Sequence, residues 1–339
     1  MHTDPGMPPD SSIVIVTWNG RAFLDACLTG VAGQQGVEAE TILVDNGSTD
    51  GTADFVEEQF PWVRIVALPA NAGFTGRNNA GARAARGRYL AFLNNDTVPD
   101  AGWLRALRDG IEERDGFALA ASRIVYMHDP RVVDSAGDGM LRWGGAFKRH
   151  HGGSAEAVGE SREVFGVCGA ACLISKAVFD ELDGFDEDFF ASHEDVDLSY
   201  RARLLGYRCR YVADAIVRHH GSGTLGRVSP FAVFQGQRNL EWVYVKNTPA
   251  SLMVRTLPGH LVYNAAAAVH FARVGRGLAF VRAKIAAMAG LPRMLRKRAA
   301  IQRRRRVGAS AIGAQLEQRW LATKLREKRF DLGLVDNPR

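Results

Sequence analysis

The 339-residue sequence predicts an α/β fold with a mostly parallel central sheet, followed by a helical extension. Three observations lead to this prediction. Short β-branched runs alternate with segments of helical spacing over the first third of the chain. Each of the first four runs stops at Asn, Asp or Gly residues. A hydrophobic content of 46% is enough for a large core.

The predicted elements alternate regularly from the first strand onward. The four predicted strands cover residues 12–17, 41–44, 63–68 and 89–93, and helices follow at 21–31, 52–60, 77–85 and after residue 100. The carboxyl ends of parallel strands meet at one edge of the sheet, which is where ligands bind in such folds. The polar residues after the four strands are therefore expected to form a single ligand cleft.

The remaining sequence divides into three stretches. Residues 127–163 are rich in glycine and weakly periodic, which indicates long loops with short strands. Strand patterns return at 164–175 and 208–212, with a helix at 196–205 that Gly206 ends. From residue 249 the pattern is helical. These features predict a disordered segment at 1–10, an α/β domain at 11–245 and a basic helical region at 246–339.

The net charge of +6 is concentrated near the C-terminus, where residues 291–306 contain eight basic residues and no acidic one. Such a run suits an anionic membrane surface, a nucleic acid or simply a solvated helix face. No aromatic residue lies between the arginines, which favours membrane over nucleic acid. Residues 256–272 lack charge but are too short and interrupted to span a bilayer, so an interfacial helix is expected there.

Cysteine usage and the first residues of the chain indicate a cytoplasmic protein. Four scattered cysteines suggest a reducing compartment. Residues 1–12 contain no apolar stretch, so no signal peptide is expected.

The fourth predicted strand ends at Asn94, Asn95 and Asp96, where oxygen donors would meet the ligand edge. Mg²⁺ prefers one or two carboxylates together with phosphate oxygens, so this turn suits a cation that carries a diphosphate. A polar turn capped by Asp96 or Thr97 is the alternative.

Seven motifs in order resemble the family 2 glycosyltransferases, whose nucleotide-binding fold is called GT-A. They are Ile-Val-Thr-Trp-Asn19, Ile-Leu-Val-Asp-Asn-Gly-Ser-Thr-Asp50, Asn-Ala-Gly-Phe-Thr-Gly-Arg-Asn-Asn79, Phe-Leu-Asn-Asn-Asp96, Gly-Phe-Asp-Glu-Asp-Phe-Phe190, His-Glu-Asp-Val-Asp-Leu198 and Val-Arg-His-His-Gly221. The resemblance covers residues 11–224 and is strongest to bacterial rhamnosyltransferase-type enzymes of cell-surface polysaccharide synthesis. It implies an inverting, metal-dependent hexosyltransferase.

The resemblance also assigns residues that bind the nucleotide. Asp45 would accept the imide N–H of uracil or thymine, which cytosine lacks; an Asx turn is the alternative role. Thr17, Asn19 and Asn79 would line the base and the ribose.

On the metal side, Asp96 is the expected carboxylate ligand of Mg²⁺ or Mn²⁺. Asn94 takes the place of the motif's usual first Asp, and Asn95 lies between them at the donor site. His219 would be a further ligand, since the motif places it directly after the strand, although His220 remains open.

The acidic cluster supplies the expected catalytic groups. Asp195 would be the base that deprotonates the acceptor hydroxyl, and Glu194 would orient the acceptor. Both could instead cap the helix that follows, and Asp197 is expected to face away.

The expected reaction transfers L-rhamnose from dTDP-rhamnose to a saccharide or polyprenyl-linked saccharide acceptor. The alternatives are a UDP-sugar donor (galactose, glucose or N-acetylhexosamine) and a non-catalytic membrane-binding scaffold. A dehydrogenase is disfavoured because no Gly-x-Gly-x-x-Gly follows the first strand. The expected partners include an anionic membrane at the inner face of the plasma membrane, and a second copy through the C-terminal helices, but no nucleic acid.

Overall fold

The computed structural model describes residues 8–112, 116–221 and 229–331. Its strands are β1 (Ser11–Thr17), β2 (Ala39–Asp45), β3 (Arg64–Ala67), β4 (Tyr89–Asn94), β5 (Thr97–Pro99), β6 (Phe117–Tyr126), β7 (Val133–Ser135), β8 (Asp138–Met140), β9 (Ala146–Lys148), β10 (Arg162–Val164), β11 (Ala171–Ser175) and β12 (Arg208–His219). Its α-helices are α1 (Arg21–Ala32), α2 (Thr52–Gln59), α3 (Gly73–Ala84), α4 (Trp103–Glu112), α5 (Lys176–Glu181), α6 (Glu194–Leu205), α7 (Pro230–Asn247), α8 (Ala250–Arg273), α9 (Gly277–Ala289), α10 (Leu291–Arg304), α11 (Ala309–Ala314) and α12 (Trp320–Asp331).

The central sheet has the order β10-β12-β6-β11-β4-β1-β2-β3, with β5 on β12 and β7 on β6. The half formed by β4, β1, β2 and β3 is parallel, as predicted. The other half is mixed, because β11 runs antiparallel to both of its neighbours, β4 and β6. The α/β prediction is confirmed.

Both faces of the sheet are covered. In β1, Val14 and Val16 belong to one buried layer, while Ile13 and Ile15 belong to the other. A parallel strand buried on both sides needs apolar residues at successive positions, which explains the continuous β-branched run. The polar side chains at the carboxyl end of β1 therefore mark the place where this double cover ends.

Strand β12 extends seven residues beyond its predicted end and contains a bulge. Val212 pairs with Ser122 and Ile216 with Arg123, so three residues of β12 are accommodated without partners on β6. Beyond the bulge, His219 pairs with Thr97 of β5. This pairing brings the end of β12 beside the turn that contains Asp96.

The C-terminal helices pack against the α/β domain, and α7 crosses the expected domain boundary at 245. The basic run at 291–306 is largely α10, which lies on the acidic segment 181–188. Lys297 contacts Asp186 and Asp188 at 2.5 and 2.7 Å, and Arg293 contacts Asp188 at 2.9 Å. Arg304 and Arg306 pair with Asp183 and Glu181. Four of the eight basic residues at 291–306 are thus paired with carboxylates of the α/β domain.

None of the helices in the described ranges is both long and apolar enough to cross a membrane.

Candidate active site

Polar side chains from three neighbouring strands meet at one edge of the sheet. Thr17 lies opposite Asp45 in the β1–β2 register, and Asn94 ends β4 opposite Val16. Asn95 donates a hydrogen bond from Nδ2 to Thr17 Oγ1 at 3.0 Å. The expected convergence of the strand ends is therefore present in the structure.

The base-binding candidates form a compact turn. Asp45 is buried, and its Oδ1 accepts the Ser48 N–H at 3.0 Å, so the Asx-type turn is present. Asn19 has φ +49° and accepts the Thr49 N–H at 2.8 Å. Trp18, next to Asn19 in the chain, is 43% exposed, and no motif assigns it a role. An exposed aromatic ring next to a buried carboxylate can stack on a flat base.

Asn79 lies in a different setting from the other nucleotide-binding candidates. Its side chain, buried in α3, accepts the Phe185 N–H at 2.9 Å and donates to the Phe185 carbonyl at 2.9 Å. The amide also donates to Glu187. Both ends of the amide thus hold the 185–187 segment, and its expected contact with ribose stays a prediction.

Asp96 and His219 face each other across the turn between β4 and β5. Asp96 Oδ1 is buried without a hydrogen-bond partner, and His219 Nε2 lies 3.4 Å away. Metal–ligand bonds of roughly 2.0–2.2 Å place neighbouring ligand atoms about 3 Å apart. The pair therefore fits two positions around one divalent cation. His220 is exposed and packs on the Phe23 ring at 5.2 Å instead.

Asp134 completes this side of the cleft. His219 Nδ1 lies 2.8 Å from Asp134 Oδ2, and Lys148 Nζ lies 2.8 Å from Asp134 Oδ1. Burial lowers the pKa of His219, but the hydrogen bond to Asp134 and the nearby carboxylate of Asp96 outweigh it and raise that pKa to about 9. Metal-binding histidines usually donate their second ring nitrogen to a carboxylate, which fixes the tautomer. Asp134 is placed to accept this hydrogen bond from His219.

The candidate base lies at the start of α6. Asp195 Oδ2 accepts the Gly169 N–H and Oδ1 accepts the Val196 N–H, both at 2.8 Å. Burial raises the pKa of Asp195, and these two donors counteract it. Glu194 is buried with one unpartnered oxygen, and burial together with Asp195 raises its pKa to about 8. A carboxylate with a fixed orientation and a raised pKa suits proton abstraction.

Residues 12–183 match the family described as glycosyl transferase family 2. That match covers half of the chain.

The chain belongs to glycosyl transferase family 2.

It is therefore an enzyme of the hexosyltransferase class, and inversion at the transferred carbon is typical of this family. Among curated relatives, the N-acetylglucosaminyl-diphospho-decaprenol L-rhamnosyltransferase of Mycobacterium tuberculosis is 26% identical over 63% of this chain and 77% of its own. This similarity confirms the expected likeness to bacterial rhamnosyltransferases.

Solved structures confirm the GT-A fold of this family 2 glycosyltransferase. GalNAc-T7 with UDP, GalNAc and Mn²⁺ aligns with a TM-score of 0.57 at 17% identity, over 72% of this chain and 49% of that one. The mannosyltransferase PcManGT from Pyrobaculum calidifontis, in complex with GDP-Man and Mn²⁺, aligns with a TM-score of 0.52 at 18% identity. That alignment covers 98% of this chain and 88% of the mannosyltransferase.

The loop that precedes the candidate base is strained in this glycosyltransferase. Phe190, Ser192 and His193 all have φ between +62° and +73°. Asn239 of α7, fully buried, donates from Nδ2 to the carbonyls of Phe189, Ala191 and Ser192 at 3.0, 2.8 and 2.7 Å. Positive φ at several non-glycine residues costs free energy and persists only where the surroundings hold it. Asn239 provides that restraint.

Asp138 approaches the base from the β8–β9 hairpin. Ligand atoms of Asp138, Cys168 and Asp195 lie within 4.8 Å of one another, the one such group of three potential metal ligands among the described residues. Burial raises the pKa of Asp138, and the charge of Asp195 raises it further. Lys148, opposite Asp138 in the hairpin, already supplies a positive charge there. We therefore interpret Asp138 and Cys168 as neighbours of the candidate base Asp195 and not as a metal site.

Sequence reasoning missed Asp134, Asp138, Asn239 and Arg77. The first two lie in the weakly periodic stretch at 127–163, where no pattern marked them, and Asn239 lies in an ordinary helix. Arg77 could have been found, because it lies inside a quoted motif. Burial lowers its pKa to about 10, and the charges of Glu194 and Asp96 oppose that shift.

Proposed function

We infer that this family 2 enzyme transfers a sugar from a dTDP- or UDP-sugar, with inversion and with the aid of a divalent cation, to a saccharide acceptor in cell-envelope polysaccharide synthesis. One observation carries the proposal. Asp195 accepts the Gly169 N–H at 2.8 Å, and the carbonyl of the next residue, Ala170, accepts the Asn94 N–H at 2.9 Å. The candidate base therefore lies next to the strand end that leads to Asp96, as a transfer between donor and acceptor requires.

The nucleotide would lie against the ends of β1, β2 and β4. Asp45 would accept the imide N–H of uracil or thymine through Oδ2, which has no partner in the described parts of the chain. Thr17 and Asn19 would line the base and ribose, with Asn94 and Asn95 near the diphosphate. Thymine and uracil offer the same imide, so Asp45 supports dTDP- and UDP-sugars equally.

L-rhamnose from dTDP-rhamnose is our preferred donor. The support comes from the M. tuberculosis relative, which is named as an L-rhamnosyltransferase that acts on a decaprenyl diphosphate-linked sugar. A UDP-sugar with galactose, glucose or N-acetylhexosamine is the second candidate.

Asp96 and His219 would hold Mg²⁺ or Mn²⁺, which would neutralise the charge that develops on the departing nucleoside diphosphate. The buried, unpartnered oxygen of Asp96 and the nearby Nε2 of His219 support this assignment. Arg77, which interacts with Asp96, would add a positive charge near the diphosphate.

Asp195 would take the proton of the acceptor hydroxyl while that oxygen attacks the anomeric carbon of the sugar. The backbone donors at Gly169 and Val196 hold its carboxylate in one orientation. Glu194 would orient the acceptor, since its raised pKa keeps it protonated and able to donate a hydrogen bond at neutral pH.

The acceptor would be a saccharide or a polyprenyl-linked saccharide at the inner face of the plasma membrane, with the enzyme in the cytoplasm and peripheral to that surface. The C-terminal helices would contact the anionic lipid. The β8–β9 hairpin, which places Asp138 and Lys148 near the base, would contribute to acceptor choice.

A donor panel tests the proposal. The purified enzyme is incubated with Mn²⁺ and with UDP-, dTDP- or GDP-sugars, and release of the nucleoside diphosphate is measured. We expect hydrolysis of dTDP- or UDP-sugars, and Asp45→Asn should reduce it because an amide cannot serve as a pure acceptor. Asp54→Asn, an exposed substitution on α2, is the matched control. A clear preference for GDP-sugars would contradict the assignment of Asp45.

A further inference from the structure

Helices α8 and α9 expose large apolar side chains that nothing in the described structure covers. Nine of them form what we call the hairpin face: Val254, Leu257, Leu261, Val262 and Val269 on α8, and Leu278, Val281, Ile285 and Met288 on α9. Exposed fractions range from 45% to 72%. Apolar surface on this scale usually marks a contact with a protein or a membrane.

Both helices turn an apolar stripe outward, and part of the inward side of α8 is polar. In α8, the inward side carries Thr256 and His260, whose polar groups bond to Tyr244 and Glu241 of α7. Its outward side carries the leucines and valines. In α9, the outward residues recur at the spacing of one helical stripe, while Ala283 and Ala287 are buried. A helix with its apolar stripe outward needs a partner for that stripe.

The charges around the face indicate what that partner is. Residues 248–316 contain thirteen Lys or Arg and no Asp or Glu. Arg255, Arg273 and Arg282 are exposed on the same two helices as the apolar residues. A second copy of the chain docked through this face would bring arginines together without acidic partners. An anionic bilayer supplies both an apolar interior and negative headgroups.

A cleft of about 410 Å³ opens among these residues, between α7, α8 and α9. Met253, Leu257, Leu261 and Phe280 contribute its apolar walls. At its polar side, Glu241 forms an ion pair with Lys284 Nζ at 2.6 Å and a hydrogen-bond contact with His260 Nε2 at 2.9 Å. A charge-compensated cleft with apolar walls can accept a hydrocarbon chain.

We propose that the hairpin face embeds among the lipid chains of an anionic bilayer, with one acyl or isoprenyl chain in the cleft. This inference extends the proposed function, in which the acceptor is lipid-linked. It assigns membrane binding to α8 and α9 and not to the basic helix α10, much of whose charge is already paired with carboxylates at 181–188.

Vesicle flotation with the full-length protein tests the inference. Wild type should float with vesicles that contain phosphatidylglycerol, and less with phosphatidylcholine alone. Leu257→Asp and Ile285→Asp should each weaken vesicle binding about tenfold or more, because each replaces an aliphatic side chain that would be embedded in lipid. Trp62→Asp is the matched control, since Trp62 is 47% exposed and Leu257 45%. It should float like wild type.

Three results would overturn the inference: no flotation of wild type, flotation unaffected by both hairpin variants, or a lipid-free dimer that Leu257→Asp dissociates in sedimentation. Donor hydrolysis is measured on the same samples. Hydrolysis without flotation would reject the membrane surface alone. Flotation without hydrolysis would support the membrane surface and count against the proposed function.

Discussion

The two carboxylate clusters of the cleft differ in how their charge is balanced. On the metal side, Asp96 and Asp134 face His219 and Lys148, so negative groups alternate with positive ones. On the base side, Glu194 and Asp195 lie together with Asp138 nearby, and burial raises the pKa of all three. We therefore expect one side to hold a cation and the other to hold and release protons.

The largest effect is expected on the base side. Asp195→Asn should reduce transfer by about 10²–10⁴-fold, the usual contribution of a general base. Nucleotide binding with Mn²⁺ should persist, because Asp195 does not contact the donor edge. Initial rates and calorimetric titration with the nucleoside diphosphate measure the two properties. Full turnover by the variant would reject Asp195 as the base.

The metal side should respond in the opposite way. Asp96→Ala should abolish Mn²⁺-dependent nucleotide binding and lower the rate by roughly 10²-fold or more, since charge stabilisation at the leaving group is lost. Asp100→Ala is the matched control. Asp100 is a part-exposed carboxylate four residues after Asp96, and it pairs with Arg218. Unchanged Mn²⁺ binding in Asp96→Ala would show that the cation is held elsewhere.

A smaller effect is expected for Asp134, which contacts the candidate ligand His219 and would not bind the cation itself. Asp134→Asn should weaken Mn²⁺ binding by about 10–100-fold, as substitutions of the residues that orient a metal-binding histidine do. Lys148→Gln removes the ion pair between Lys148 and Asp134 but leaves the contact between Asp134 and His219. It should therefore lower thermal stability and keep Mn²⁺ affinity. Equal Mn²⁺ affinities in the two variants would show that Asp134 has only a structural role.

The smallest effect concerns protons. Because Glu194 has a raised pKa, the folded protein holds this proton more tightly than the unfolded chain does. Its contribution to the free energy of unfolding is complete below pH 4.5 and is lost as the pH rises to about 8. Chemical denaturation across that range should show a weaker decline for Glu194→Gln than for wild type. Glu57→Gln, exposed on α2, should keep the wild-type decline.

The sequence predicted best what is local. The strand ends at Thr17, Asp45 and Asn94 could be placed because a parallel α/β pattern fixes where its polar ends meet. His219 was found through a motif, but its contact with Asp96 depends on the short strand β5, which no pattern revealed. Asp134 could not be found, since its partner lies 85 residues away.

Polar residues near the cleft also show the limits of residue type as a guide. Asn79 is predicted to line the nucleotide, but no pattern predicts that its amide also bonds to Phe185, 106 residues on. The basic run at 291–306 is evident in the sequence. No pattern shows that the carboxylates at 181–188, more than 100 residues earlier, pair with it.

The bulge in β12 decides which of two adjacent histidines lies beside Asp96. Successive side chains of a strand point to opposite sides, so an odd number of extra residues reverses the order of everything that follows. With three extra residues, His219 faces Asp96 and His220 faces Phe23. Deleting the exposed Asp214 would advance the strand by one position and present His220 instead. Two neighbouring imidazoles thus give this strand a tolerance to a single-residue deletion that one histidine would lack.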